Sequence, residues 1–353
     1  MALGRVRITA LRCLAHVEVA LDARRNFIFG PNGAGKTSIL EGIFLLGRGR
    51  SFRTRQTGRL VQRGQDGFAV YGEVHTSAGQ RRLGVSFTSG HLTKRIDGQD
   101  ATGMAALAEI LPIHSLDPGS HQLVEGAPTE RRRFLDWGVF HVERAYLDSW
   151  KRYRRILSQR NAGLKTGAAG PALRSWTTAL LESGAAVDAS RRSYVGLLAP
   201  FVAEFGQQLL DQPLSIEYRP GWAKGLTFEA AVAAAERRDL VSRTTEVGPH
   251  RADLEIQLAG RRLQDEASRG QQKLAAAAMI LAQLAAGGPQ GTPRVLLVDD
   301  PAAELDARSL ARLLELLERL PAQLVLTALS AGQLPPLPGY PVFHVERGSV
   351  RGV

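Results

Sequence analysis

Cysteine is almost missing from this sequence of 353 residues: Cys13 stands alone. That excludes an intramolecular disulfide framework and a multi-cysteine zinc site, and it suits a reducing compartment, with the cytoplasm as the default expectation. Long apolar runs are missing as well. The longest, LAAAAMILAQLAA from Leu274 to Ala286, is interrupted by Gln283 and is too short to span a bilayer. The N-terminus has no signal-type apolar region, so no membrane partner is expected. Lysine is scarce, six residues against thirty-nine arginines, so each lysine position carries information. What is present is ordinary for a packed fold: 44% apolar and 22% charged residues, in a chain long enough for more than one lobe.

The net charge of +11 is unevenly spread. Residues 1–63 carry 12 basic and 3 acidic side chains, and residues 131–160 carry 9 and 3. Residues 64–130 are acidic, with 4 basic and 8 acidic side chains, and residues 161–353 balance at 20 of each. A GC-rich genome explains arginine over lysine but not this clustering. Two basic zones predict a polyanionic partner, with nucleic acid the first expectation.

The first 130 residues read as short strands: RVRITAL, NFIFG, FAVYGEVHT, RRLGVSFT and HLTKRIDG, with DGQD as a hairpin tip and one helix beginning at Lys36. From Arg131 the period changes. Val139, Val142, Tyr146, Trp150, Tyr153 and Leu157 step as one stripe of a single long helix. NAGLKTGAAGPA then reads as a turn, and residues 173–210 as a second helix, giving a helical hairpin in mid-chain. Strands return from about residue 251 as RADLEIQL, RVLLVDD, QLVLTAL and YPVFHVE, with helices over 270–286 and 303–320. The expected architecture is α/β, with an N-terminal part over 1–130, a helical lobe over 131–245 and a C-terminal part over 246–353.

GPNGAGKT, residues 30–37, fits the phosphate-binding pattern G-x-x-x-x-G-K-[ST], with a strand before it and a helix after it. Gly30, Pro31, Asn32, Gly33, Ala34 and Gly35 let successive N–H groups turn inward around phosphate oxygens, and the helix start through Ser38 adds its partial positive charge. A compact ammonium at Lys36 suits the loop better than a planar guanidinium. Thr37 supplies a hydroxyl for Mg²⁺. A second metal ligand is expected at Asp299, which ends the apolar run VLLVDD. Asp300 is placed to accept a proton from attacking water. Either aspartate also fits a plain helix-capping role. Ser268, just before the helical run, forms a second phosphate-seeking helix start with Gly270.

The order of GPNGAGKT, SRGQQK, VLLVDD and AELD resembles the ATP-binding-cassette ATPases. GPNGAGKTSILEGIFLLGRGRSFR, RRRFLDWGVFH, VGPHRADL, SRGQQK and LLVDDPAAELD resemble the RecF family of bacterial recombination-repair proteins, relatives of SMC heads. The resemblance implies an ABC/SMC-type P-loop ATPase head with an inserted helical lobe, binding ATP and Mg²⁺. It places Ser268 to Gln272, including Gln271, in the signature that completes another subunit's site, Asp306 in the D-loop, and Arg12 against the nucleotide base. It also implies weak DNA-stimulated ATPase activity, an ATP-dependent homodimer on duplex DNA and single-strand gap junctions, and cooperation with RecR and RecO in loading RecA. Gln122 matches a Q-loop only loosely, and a satisfied buried side chain is the expectation for His250. A transporter ATPase subunit and a metabolic P-loop kinase are the competing readings. The basic helix over 131–160, with a ridge at Arg152, Arg154 and Arg155, favours DNA over a transporter's membrane partner, and a kinase has no use for SRGQQK.

Overall fold

The computed structural model describes residues 2–167, 170–287, 294–334 and 339–353. They form two compact units, one built from Met1–Ser120 with Gly288–Val353, the other from His121–Gly287. The sequence expectation drew its limits at 130/131 and 245/246, where the residue period changes; the units divide at 120/121 and 287/288 instead. Residues 168 and 169 of the expected turn NAGLKTGAAGPA lie outside the described residues.

The chain opens in the first unit with β1 (Ala2–Leu11), β2 (Leu14–Ala20), β3 (Arg25–Phe29), α1 (Lys36–Arg48), β4 (Gly67–Thr76), β5 (Gly79–Thr88), β6 (His91–Ile96), β7 (Gln99–Asp100), α2 (Met104–Ile110) and β8 (Ile113–Leu116). The second unit follows with α3 (Gln122–Glu125), α4 (Pro128–Val142), α5 (Tyr146–Lys165), α6 (Pro171–Leu210), β9 (Leu214–Arg219), α7 (Phe228–Ser242), β10 (Asp253–Leu258), β11 (Arg261–Arg262), α8 (Leu263–Glu266) and α9 (Arg269–Ala286). The first unit then resumes with β12 (Val295–Val298), α10 (Pro301–Glu304), α11 (Ala307–Arg319), β13 (Gln323–Ala328), β14 (Val342–Glu346) and β15 (Ser349–Gly352).

Two six-stranded sheets build the first unit. One is antiparallel, in the order β2-β1-β4-β5-β6-β7; the other runs β15-β14-β3-β13-β12-β8, parallel except at the β14–β15 hairpin. In the second sheet, every residue of VLLV in β12 and QLVLTA in β13 is buried, as the continuous apolar run requires for a parallel strand covered on both faces. Helix α1 is buried nearly all round because it lies between the sheets. Leu46 packs where a side chain on Gly72 of β4 would stand, and Leu111 and Ile113 crowd Gly47.

In the second unit α5 and α6 form the expected hairpin, with the sheet β11-β10-β9 beside it. The single long helix expected through residues 139–157 is two helices. Glu143 leaves the helical conformation and its carboxylate accepts the Ala145 N–H at 3.2 Å, so the apolar period runs on across a break. Val139 is buried while Val142 is exposed.

Burial in this unit enlists many of the basic residues counted in the sequence. Arg160, 1% exposed, donates to Asp239 at 2.7 Å and Thr245 at 2.6 Å. Arg131 forks onto Asp253 at 2.7 and 3.0 Å, and Arg191 pairs with Asp136. His250 donates through Nε2 to the Thr245 carbonyl and accepts the Tyr153 hydroxyl at Nδ1. Burial pushes its pKa down to about 4, so it is a neutral, satisfied side chain. Removing one member of a buried ion pair leaves an uncompensated charge. Asp239→Ala is therefore expected to cost about 3–5 kcal/mol of unfolding free energy, read from denaturant curves of the full chain. A loss comparable to that of an exposed pair would show that Arg160 does not depend on this carboxylate.

Candidate nucleotide site

Strand β3 ends at Phe29 and delivers the chain into the loop 30–35, whose path is fixed by its neighbours. A side chain at Gly30 would stand 2.1 Å from the Val345 carbonyl oxygen, and Gly35 has a left-handed φ of 120° with Leu14 packed against it. The Ala34 carbonyl accepts the Gly348 N–H of the β14–β15 turn at 2.8 Å. Both the loop and the start of α1 are thus held from outside.

Lys36 is buried, and its ammonium donates to the carbonyls of Gly30 at 2.7 Å and Pro31 at 3.1 Å. Burial lowers its pKa, while Asp300 and Asp299 push in the opposite direction. The Thr37 hydroxyl reaches both oxygens of Asp299, at 2.9 and 3.1 Å. Asp299 follows β12 directly and is buried. Thr327, fully buried in β13, donates to Asp299 at 2.9 Å and accepts the Asp300 N–H at 3.0 Å.

Asp300 takes a left-handed conformation at the start of α10 and makes no side-chain cap there. Its Oδ1 is buried and has no hydrogen-bond partner among the described residues. Burial raises its pKa; Lys36 opposes the shift and Asp299 adds to it. Asp306, by contrast, caps α11, accepting N–H bonds from Arg308 and Ser309, and its pKa is lowered chiefly by the Ser309 hydroxyl.

A cavity of about 680 Å³ opens over these groups, lined by Asn32, Gly33, Gly35, Lys36, Thr37 and Ser38, with Asp299 and Asp300 at one side and Arg12 at another. Arg12 is held by Glu41, which is completely buried, at 2.9 and 3.1 Å, and by the Arg59 carbonyl. Ser51 also bonds Glu41. Sequence reasoning missed Glu41, Ser51, Arg53, Arg59 and Thr327; the one signal it could have used was a polar Thr inside the apolar run QLVLTA.

The donor set fits a nucleotide and a divalent cation. An ammonium and a hydroxyl–carboxylate pair line one cavity, and a buried carboxylate oxygen is left over. Thr37 and Asp299 are the residues that would hold the metal, which supplies charge neutralisation at phosphate oxygens. Asp306 is outside this lining. Ser268, Gly270 and Gln271 belong to the second unit. There, Ser268 caps α9 by accepting the Gln271 N–H, and the Gln271 side chain accepts the Ser268 N–H. Gln122 begins α3 in the same unit and donates to Glu125.

Residues 2–337 match the profile of the RecF/RecN/SMC N terminal domain. The DNA replication and repair protein RecF of Thioalkalivibrio sulfidiphilus (strain HL-EbGR7) is 41% identical, covering 99% of each chain. The chain belongs to the RecF family. A RecF of Pseudomonas putida (strain GB-1) is 40% identical over 99% of this chain and 98% of its own. Among solved structures, a recombination mediator protein RecF described with ATP superposes with a TM-score of 0.86 at 24% identity, covering 100% and 97% of the two chains. An SmcHead structure gives 0.60 at 15%, covering 100% and 97%. The fold is therefore that of an ABC/SMC-type ATPase, and a full-length RecF match leaves the transporter and kinase readings without support.

A carboxyl whose pKa is raised by folding holds its proton more tightly folded than unfolded. Its contribution to stability is present below the unfolded value and lost as pH rises through the folded one. Asp300→Asn, which removes the charge, is expected to raise the unfolding midpoint at about pH 7, with the gain shrinking as pH falls into the ordinary carboxylate range. Thermal unfolding across pH decides; a midpoint below wild type at neutral pH would contradict the environment assigned to Asp300.

Proposed function

We propose that this RecF-family chain is an ATP-driven switch acting on DNA in replication and repair. The observation that carries the reading is the Thr37–Asp299 pair beside the buried Lys36, at one end of a parallel sheet and facing one cavity. In this reading Gly30 to Ser38 bind the nucleotide phosphates, Thr37 and Asp299 hold Mg²⁺, and Arg12 faces the base.

Asp300 accepts a proton from water as the water oxygen attacks the terminal phosphorus and the bond to the bridging oxygen breaks. The buried Oδ1 and raised pKa suit a base, and the short side chain suits slow hydrolysis. Ser268, Gly270 and Gln271 of one subunit complete the phosphate site of another, with Asp306 at the same junction, so that ATP joins two heads and hydrolysis releases them. The solved relative described with ATP belongs to a RecFOR pathway. We extend this to partnership with RecR and RecO, to action on duplex DNA and gap junctions ahead of RecA loading, and to a cytoplasmic location. Among the described residues no helix is long and apolar enough to cross a membrane.

Sedimentation of the full chain with and without ATP tests the switch. Wild type is expected to double its mass with ATP. Lys36→Arg is expected to weaken nucleotide binding about tenfold or more and to remain monomeric. Ser268→Arg is expected to remain monomeric too, through the neighbouring subunit's site. Equal loss of nucleotide binding by dilute Ser268→Arg monomer would mean that the site is not composite, and a wild-type monomer in saturating ATP and Mg²⁺ would remove the switch altogether.

A further inference from the structure

Between Lys151 and Lys165, α5 carries six cations and no carboxylate. Two have partners inside the unit: Arg160 is buried against Asp239, and Arg152 reaches Glu182 of α6 at 3.4 Å. Arg152 is thus set apart from the ridge expected at Arg152, Arg154 and Arg155. Lys151, Arg154, Arg155 and Lys165 are all exposed, and none has an ion-pair partner among the described residues.

Their placement is regular. Lys151, Arg155, Ser158, Ala162 and Lys165 step by 4, 3, 4 and 3 along the helix, every one at least partly exposed, which makes them a single line. Arg154 flanks it. The opposite face is committed to packing through Tyr153, Ile156, Arg160 and Leu164. Arg154 lies over the Trp150 ring at 4.9 Å, and that ring is fixed by its N–H donating to Asp136 at 3.2 Å, so the guanidinium is presented with little freedom to lose. Like charges at i and i+4, as at Lys151 and Arg155, repel. Asp148, one turn ahead on α5, and Glu182 of α6, which pairs with Arg152, make no ion pair with this line among the described residues.

We propose that this line on α5 docks the phosphate backbone of duplex DNA without reading its sequence. The proposal rests on the DNA-binding function given above. A straight row of cations suits a rigid polyanion with regularly spaced charge. From Lys151 to Lys165 the helix rises about 21 Å, the length of roughly six base-pair steps. Ser158 and Ala162 are the only other side chains on the line and offer little for recognising base edges, which leaves backbone contact as its chemistry.

The test is duplex binding by the full chain with ATP across a range of salt concentrations, using DNA of mixed sequence. Replacing Lys151, Arg154, Arg155 and Lys165 together by Gln is expected to lower the magnitude of the log-affinity against log-salt slope by about 0.9 for each phosphate no longer neutralised, about 2 to 4 in all. Arg154→Lys with Arg155→Lys keeps the charge and is expected to keep the slope. Arg152→Gln, whose partner is Glu182, is expected to keep it too. Unfolding midpoints show that each variant is folded. A wild-type slope in the fourfold variant would overturn the proposal while leaving the DNA function standing. An equal fall in Arg152→Gln would overturn it as well, by showing that net charge rather than the line matters. Wild-type protein with no salt-dependent duplex binding would remove the function itself.

Discussion

Everything around the cavity depends on one carboxylate, Asp299, being kept buried at the end of an apolar strand. A charge in that position needs hydrogen-bond donors, and two threonines supply them from opposite directions. Thr37 comes from the first turn of α1 and Thr327 from β13. The phosphate loop, the strand that carries Asp299 and the strand beside it are thereby tied at one point, and the same Thr327 hydroxyl accepts the N–H of Asp300. The strained backbone at Asp300 is set by this junction. The carboxylate oxygen Oδ1 of Asp300 has no hydrogen-bond partner among the described residues, and burying such an atom carries a local cost.

The second unit solves a different problem with the same residue type. Through aspartates at 2.7 Å, Arg131 joins a helix to a strand, while Arg160 and Arg191 each join one helix to another. Arginine suits this work because its fork satisfies several acceptors at once. The exposed cations of α5 are what remains after these internal pairings, which is why a charge total for residues 131–160 describes the surface poorly.

What could be read from the sequence follows the range of the interactions. The loop 30–37, the run before Asp299 and the helix start at Ser268 are local patterns, legible because a phosphate cradle or a cap is built from consecutive residues. Glu41 and Thr327 act on Arg12 and Asp299 across 29 and 28 residues; nothing in its own neighbourhood marks Glu41, and only its polarity inside QLVLTA marks Thr327. The break between α4 and α5 escaped for a related reason: the apolar stripe has the right period on both sides of Glu143, and periodicity does not register a backbone that leaves the helix between them. The two units, likewise, divide where packing changes rather than where the period does.

The turn at Gly348, bonded to Ala34 of the phosphate loop, has a consequence for how the molecule comes into being. Strand β3 is flanked by β13 and β14, and Gln323 bonds the backbone of Leu3 across 320 residues. The loop's own sequence is complete near the start of the chain, yet its walls arrive close to the end. Pairings of such separation make for slow assembly, since loop closure is settled before they reward it. The phosphate cradle as described, walled by Val345 and tied to Gly348, therefore takes its full form only once β14 and the turn after it are in place.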